Sequence, residues 1–148
     1  MKNKIVPSLW FNAEGGSLTN IINYYQTIFA EAFEPGQIMA LGETPSGKTE
    51  MCYITLYGQR YAFMCTASLH HPLNDAVSLM LNCENQIEID KFWNYFTSEG
   101  KESQCGWCID KYGLRWQVLP NNLGQLMQKP NAFKVMMNQK KIVIDEYQ

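Results

Sequence analysis

The stretch Cys105-Gly106-Trp107-Cys108 holds the residues whose types and spacing most directly suggest chemistry, because two thiols this close can cycle between dithiol and disulfide. That cycle needs the first thiol at a helix N-terminus, where the dipole lowers its pKa. Here the flanking residues read as strand, and a spacing of three sends the two side chains to opposite faces. Redox catalysis is not expected. Cys52, Cys65, Cys83, Cys105 and Cys108 all fall in segments with a strand pattern, so reduced thiols buried as small hydrophobes are expected. Zinc is not expected either, since neither a second cysteine pair nor a spaced histidine pair completes a tetrahedral set. His70 and His71 are the obvious general-base candidates, but beside Pro72 they read as a solvated loop. Gly15-Gly16 follows a strand yet lacks the spacing of the glycine-rich turn that binds S-adenosylmethionine.

The elements that must position these residues belong to a chain of 148 residues, 46% hydrophobic and 18% charged, which fits one packed unit or two small halves sharing a core. A net charge of −2 without a Lys/Arg cluster gives no electrostatic footprint for nucleic acid. The apolar run after Met1-Lys2-Asn3-Lys4 is too short for a signal segment or a membrane span, so a cytoplasmic protein with no membrane partner is expected.

The clearest element is a hairpin. Gln104 to Ile109 and Leu114 to Pro120 read as strands around Asp110-Lys111-Tyr112-Gly113, whose Asp can bond its own backbone and whose Gly tolerates positive φ. Leu114, Trp116 and Val118 then share a face that should pack under a helix, opposite Arg115, Gln117 and Leu119. Earlier, Ile5 to Phe11 reads as a strand. A helix follows from Ser17 as N-cap, with the stripe Leu18, Ile21, Ile22, Tyr25 and Phe29. A weak strand is expected around Gln37 to Leu41 and a loop from Gly42 to Lys48. Glu50 to Tyr57 and Arg60 to Thr66 read as strands joined by Gly58-Gln59, with Cys52, Ile54 and Leu56 opposite Tyr53, Thr55 and Tyr57.

Past a connection from Ser68 to Asn74 the order repeats. Asp75 to Cys83 reads as a strand, and Asn85 with Glu88 makes a capping-box-like start for a helix with the stripe Ile89, Phe92, Trp93 and Phe96. Ser8-Leu9-Trp10-Phe11-Asn12 and Ser78-Leu79-Met80-Leu81-Asn82 share Ser-Leu-x-x-Asn, which supports two strand-helix-strands modules, the second without a clear extra strand. The tail reads as helical in pieces, Leu123 to Gln128 first, then from Pro130 with the stripe Phe133, Met136 and Met137. It is expected to pack on its own chain as a lid, in preference to a dimer contact.

The pattern Pro7-Ser8-Leu9-Trp10-Phe11-Asn12, Asn23-Tyr24-Tyr25-x-x-Ile28-Phe29, Ser78-Leu79-Met80-Leu81-Asn82-Cys83 and Gln104-Cys105-Gly106-Trp107 through Val118 resembles the PhnB-like branch of the glyoxalase, bleomycin-resistance and extradiol-dioxygenase (vicinal oxygen chelate) superfamily. Members of this branch often carry the label demethylubiquinone methyltransferase-like. The resemblance implies an α+β fold of paired βαβββ modules, about 1–67 and 75–120, whose mixed sheets curl around a cup, with a helical tail over 121–148 in one domain. It also implies a homodimer. In the superfamily's metal enzymes, His and Glu from the first and last strands of each module hold a dication that acts as a Lewis acid. Here the implied positions read as Ser78 and Gln117, with a first-module counterpart near Val6 to Ser8 and no carboxylate in Tyr61-Ala62-Phe63-Met64-Cys65. A hydroxyl and a neutral amide supply no charge for such an ion, so neither metal nor cofactor is expected.

If Ser78 and Gln117 point inward, parity brings Met80, Asn82 and Arg115 to the same side, joined by Ser8 and Trp10 from the first module. An apolar and aromatic wall with a few convergent polar groups is the usual make-up of a small-molecule pocket. The same residues would also suit a filled core, with Arg115 as a solvated or interface charge. The expected function is binding of an unidentified small molecule without a catalytic metal; the alternative is an enzyme of the same superfamily, including the methyltransferase-like activity of the label.

Overall fold

Ser8-Leu9-Trp10-Phe11-Asn12 and Ser78-Leu79-Met80-Leu81-Asn82-Cys83 each open a unit of the same topology. In the computed structural model, residues 2–12, 17–68 and 71–148 are described, and the chain divides into two compact units, Met1–Leu73 and Asn74–Gln148. The first runs β1 (Ser8–Asn12), α1 (Thr19–Phe29), a 3-10 turn (Ala30–Ala32), β2 (Phe33–Pro35), β3 (Met39–Thr44), β4 (Gly47–Leu56) and β5 (Gln59–Thr66). The second runs β6 (Ser78–Cys83), α2 (Gln86–Ser98), β7 (Lys101–Glu102), β8 (Trp107–Ile109), β9 (Arg115–Pro120), α3 (Leu123–Leu126), α4 (Ala132–Met137) and a 3-10 turn (Ile144–Glu146).

Both sheets are mixed. The first has the order β1-β5-β4-β2 with β3 also on β4, and the second has the order β6-β9-β8-β7. In each, the opening strand lies parallel to the closing one, Ser8 opposite Ala62 and Ser78 opposite Arg115, and the remaining pairs are antiparallel. This is an α+β fold of two βαβββ modules, the first carrying β3 as an additional strand on β4. The module two strand missing from the sequence reading is β7, only two residues long and therefore without a visible alternation.

Periodicity decides which face each helix covers. Ile21, Ile22, Tyr25 and Phe29 of α1 are buried with the preceding Leu18, over Phe11, Cys52, Ile54, Phe63 and Cys65. Tyr25 anchors the contact, its ring 6.1 Å from Phe11 and 5.8 Å from Phe63. In the second unit Ile89, Phe92, Trp93 and Phe96 are buried on the sheet, and Phe96 stacks on Trp116 at 4.7 Å with rings 9° apart. Asn85 caps α2 as expected, its side chain accepting from Glu88 N at 2.9 Å.

Ser17 is not the residue that caps α1. The helix begins later; Ser17 Oγ accepts from Thr19 N at 3.3 Å, while Leu18 N donates to the Glu50 carboxylate at 2.8 Å. The expected loop from Gly42 to Lys48 is instead the end of a β3–β4 hairpin, because Thr44 Oγ1 bonds Ser46 N, Gly47 O and Thr49 Oγ1 across the turn. The β4–β5 turn is Tyr57-Gly58 rather than Gly58-Gln59, both residues at positive φ, 48° and 80°. β1 and β6 start later than their sequence readings, at Ser8 and Ser78.

The tail packs within its own unit, as expected. Leu126, Ala132, Ile142 and Tyr147 form a buried cluster with Leu119 of β9. The expected stripe on α4 holds only at Met136: Phe133 and Met137 are exposed, and Ala132 and Val135 join Met136 against the cluster. Six residues give under two turns, too few for a reliable stripe. The tail is tied down through Gln86, which donates to Ile142 O at 2.9 Å and accepts from Ile144 N at 2.8 Å. Among the described residues no helix is long and apolar enough to cross a membrane.

Candidate functional site

The β8–β9 hairpin is held by one carboxylate. Asp110 Oδ1 accepts from Tyr112 N at 2.8 Å and Leu114 N at 3.1 Å, and its Oδ2 accepts from Trp116 Nε1 at 2.9 Å. Gly113 takes φ 86°, which closes the turn at little cost only for glycine. With the turn fixed, Leu114, Trp116 and Val118 are buried toward α2 and Arg115 and Gln117 fall on the opposite face, as the alternation predicts.

On that face the register assembles the second-module candidates. Ser78 lies opposite Arg115, Met80 opposite Gln117 and Asn82 opposite Leu119, while Trp107 flanks Gln117 from the other side. Gln117 Nε2 donates to Ser78 Oγ at 2.9 Å. Met80 is 60% exposed, so it is not filled core. The Arg115 guanidinium turns toward the hairpin end, Nε on Asp75 at 2.9 Å and an Nη on Gly113 O at 2.7 Å. Beside it lies a cavity of about 340 Å³ lined by Arg115, Lys101, Lys111, Glu99 and Asp110 among others.

Ser8 and Trp10 lie in the first unit, on the face of β1 turned away from α1. Trp10 Nε1 is buried with no acceptor among the described residues, an arrangement that costs ~1–3 kcal/mol unless something else accepts from it. The register also shows what the sequence reading missed. Trp10 lies opposite Met64, Met64 opposite Met51 and Met51 opposite Met39, so four side chains form one row across four adjacent strands. Strand alternation gave the face of each residue, but only the pairing shows that they line up.

At the positions where the resemblance implies ligands for a dication, the described residues place neutral groups. By register Ser8 and Met64 occupy in the first module the places of Ser78 and Met80's neighbour Gln117 in the second. Hydroxyl, thioether and amide bring no negative charge, and the Ser78 and Gln117 groups already bond each other. Among the described residues no three His, Cys, Asp or Glu side chains gather as a possible metal set.

Cys105 is not in a strand: it sits before β8 at φ 59°, its N–H on Gln139 O at 2.8 Å, whereas Cys52, Cys65, Cys83 and Cys108 are in strands. Burial pushes the Cys108 thiol up to about 12, reinforced by the Asp110 and Glu102 carboxylates, so it stays protonated near neutrality. Gly15, Gly16 and His70 lie outside the described residues, and His71 is exposed.

The sequence model of the 3-demethylubiquinone-9 3-methyltransferase family matches residues 3–119. The chain belongs to this PhnB-like family. A PhnB protein from Bacillus cereus matches with 26% identity and a TM-score of 0.62, over 77% of this chain and 96% of that one. A protein from Pseudomonas aeruginosa matches at 18% identity and a TM-score of 0.55, over 76% of this chain and 92% of that one, which supports the fold. No curated protein matches the sequence. The match to the PhnB-like family ends one residue before the end of β9, leaving α3, α4 and the closing turn outside it.

Proposed function

We propose that this PhnB-like protein binds a small organic molecule without a resident catalytic dication. The observation that carries the reading is the 2.9 Å hydrogen bond between Gln117 and Ser78, a neutral pair standing where the resemblance implies metal ligands. Such a pair offers an organic ligand one donor and acceptor at fixed positions but holds a cation poorly. The proposed lining is Ser78, Met80, Asn82, Arg115 and Gln117 on the sheet face of the second unit, and Ser8 and Trp10 on the corresponding face of the first. The reading includes a cytoplasmic homodimer, to be checked by light scattering of the purified protein.

The test is elemental analysis of protein purified without chelator, followed by thermal-shift screening with and without EDTA. The panel comprises S-adenosylmethionine, ubiquinone precursors, phosphonates and aromatic antibiotics. Substoichiometric metal and a ligand-induced shift indifferent to EDTA are expected. A stoichiometric dication whose removal abolishes the shift would overturn the proposal. The family's printed name supplies the second reading, methyl transfer, which predicts that S-adenosylmethionine raises the melting temperature.

A further inference from the structure

We infer that the first module's sheet face away from α1 is a binding platform for a planar aromatic anion, an aromatic carboxylate being the simplest member. The inference rests on the reading of the protein as a metal-independent binder and names the chemical class of its guest.

Three features converge. The row Trp10, Met64, Met51, Met39 crosses four strands in register, and its outermost member, Met39, is 39% exposed. Thioethers are polarizable and flexible, and they make favourable contacts with aromatic rings, so a methionine row with an indole at one end suits a flat apolar guest better than an aliphatic one. Two residues along β4 from Met51, Tyr53 continues the platform, and the Arg60 guanidinium stacks on its ring at 4.1 Å. Arg60 has no ion pair among the described residues, Glu34 standing two strands away in the same row, so this end of the platform presents a guanidinium open to an anion. Two strand residues span about 7 Å, so a fused two-ring aromatic resting on the row can reach Arg60 with a carboxylate on its far edge. Trp10 Nε1, buried without an acceptor among the described residues, gives the other end a donor for a ring heteroatom or carbonyl.

The experiment compares 2-naphthoate, 2-naphthalenemethanol and cyclohexanecarboxylate by calorimetry on the full chain. It also follows methyl-labelled methionine signals by NMR, which reads the site directly among the eight methionines. Naphthoate is expected to bind about tenfold more tightly than either comparison compound, with shifts concentrated on Met39, Met51 and Met64. Arg60→Gln, a substitution at a partly exposed site, should weaken naphthoate about tenfold and leave the alcohol within about twofold. Met51→Gln should weaken both aromatics, and Met137→Gln, at an exposed position on α4, neither. No naphthoate binding, or binding indifferent to Arg60→Gln, would overturn the inference. Metal-independent binding with shifts confined to Met80 would overturn it while leaving the proposed function standing; binding that requires a dication would overturn the proposed function.

Discussion

The two modules share a topology and a five-residue opening signature, yet they solve the same structural problems with different chemistry. The row that reads Trp10, Met64, Met51 in the first reads Met80, Gln117, Trp107 in the second. Each has one indole and at least one thioether, but the indole has moved from the opening strand to the penultimate one and an amide has replaced the central methionine. A common βαβββ frame therefore fixes where side chains stand and leaves their chemistry free, so function has to be argued from each face separately. The difference extends to the turns. The first module closes β4–β5 with two residues of left-handed backbone, whereas the second closes β8–β9 around a buried carboxylate.

Removing that carboxylate should be the most damaging way to test the contrast. Asp110 is 2% exposed and accepts three hydrogen bonds, one from the indole that stacks on Phe96. Asp110→Ala leaves three donors without their acceptor and is expected to cost about 4 kcal/mol by urea denaturation, with loss of the Trp116 near-UV signal. Gly58→Ala, which strains a single positive-φ position with open space around it, should cost only about 1 kcal/mol. Equal losses would show that the two hairpins are held alike.

The neutral pair is the next point of attack. A double-mutant cycle on Ser78→Ala and Gln117→Ala should return a coupling of about 1 kcal/mol. The corresponding cycle on Ser8 and Met64, which have no hydrogen bond between them, should return about zero. A coupling near zero for Ser78 and Gln117 would mean that the bond is exchanged for water at no cost.

Helix starts give a smaller contrast and show where the sequence was legible. Asn85 and Glu88 are local partners three residues apart, so the cap of α2 is written in one short stretch. The start of α1 depends on Glu50, 32 residues beyond Leu18, and no local pattern announces it. The same division runs through the molecule. The Asp110–Gly113 turn, both helical stripes and the faces of β4 and β9 follow from neighbours in sequence and were readable. The β3–β4 hairpin hid behind Gly42, Pro45, Ser46 and Gly47, whose composition is that of a loop; the strand β7 was too short; and the methionine row exists only through interstrand register. Asn85→Ala should cost about 1 kcal/mol and Ser17→Ala less than about 0.5 kcal/mol, read from denaturation midpoints. A larger loss at Ser17 would restore it as the cap.

The smallest effect concerns the tail, which packs on the end of β9 and is tied to α2. Asp90 accepts from Gln86 Nε2 at 2.9 Å and pairs with Lys141 Nζ at 2.9 Å; the Gln86 bond first, then Lys141, holds its carboxyl below the usual carboxylate range. A carboxyl whose pKa is depressed by folding contributes stability that is complete above its unfolded pKa, about 3.9, and is lost as pH falls through the folded value. Because Asp90 is largely solvated, the contribution should be under about 0.5 kcal/mol. Asp90→Asn should therefore flatten the decline in stability between about pH 4 and 3 only slightly. Hydrogen exchange offers the sharper reading, since the Ile144 N–H bonds Gln86 Oε1 and Gln86 in turn holds Asp90. Exchange at Ile144 should accelerate in acid for the wild type more than for the variant, while amides of β4 and β5 respond equally in both. If Ile144 shows no difference, the tail is held by its apolar cluster around Leu119 and the polar tie to α2 is incidental.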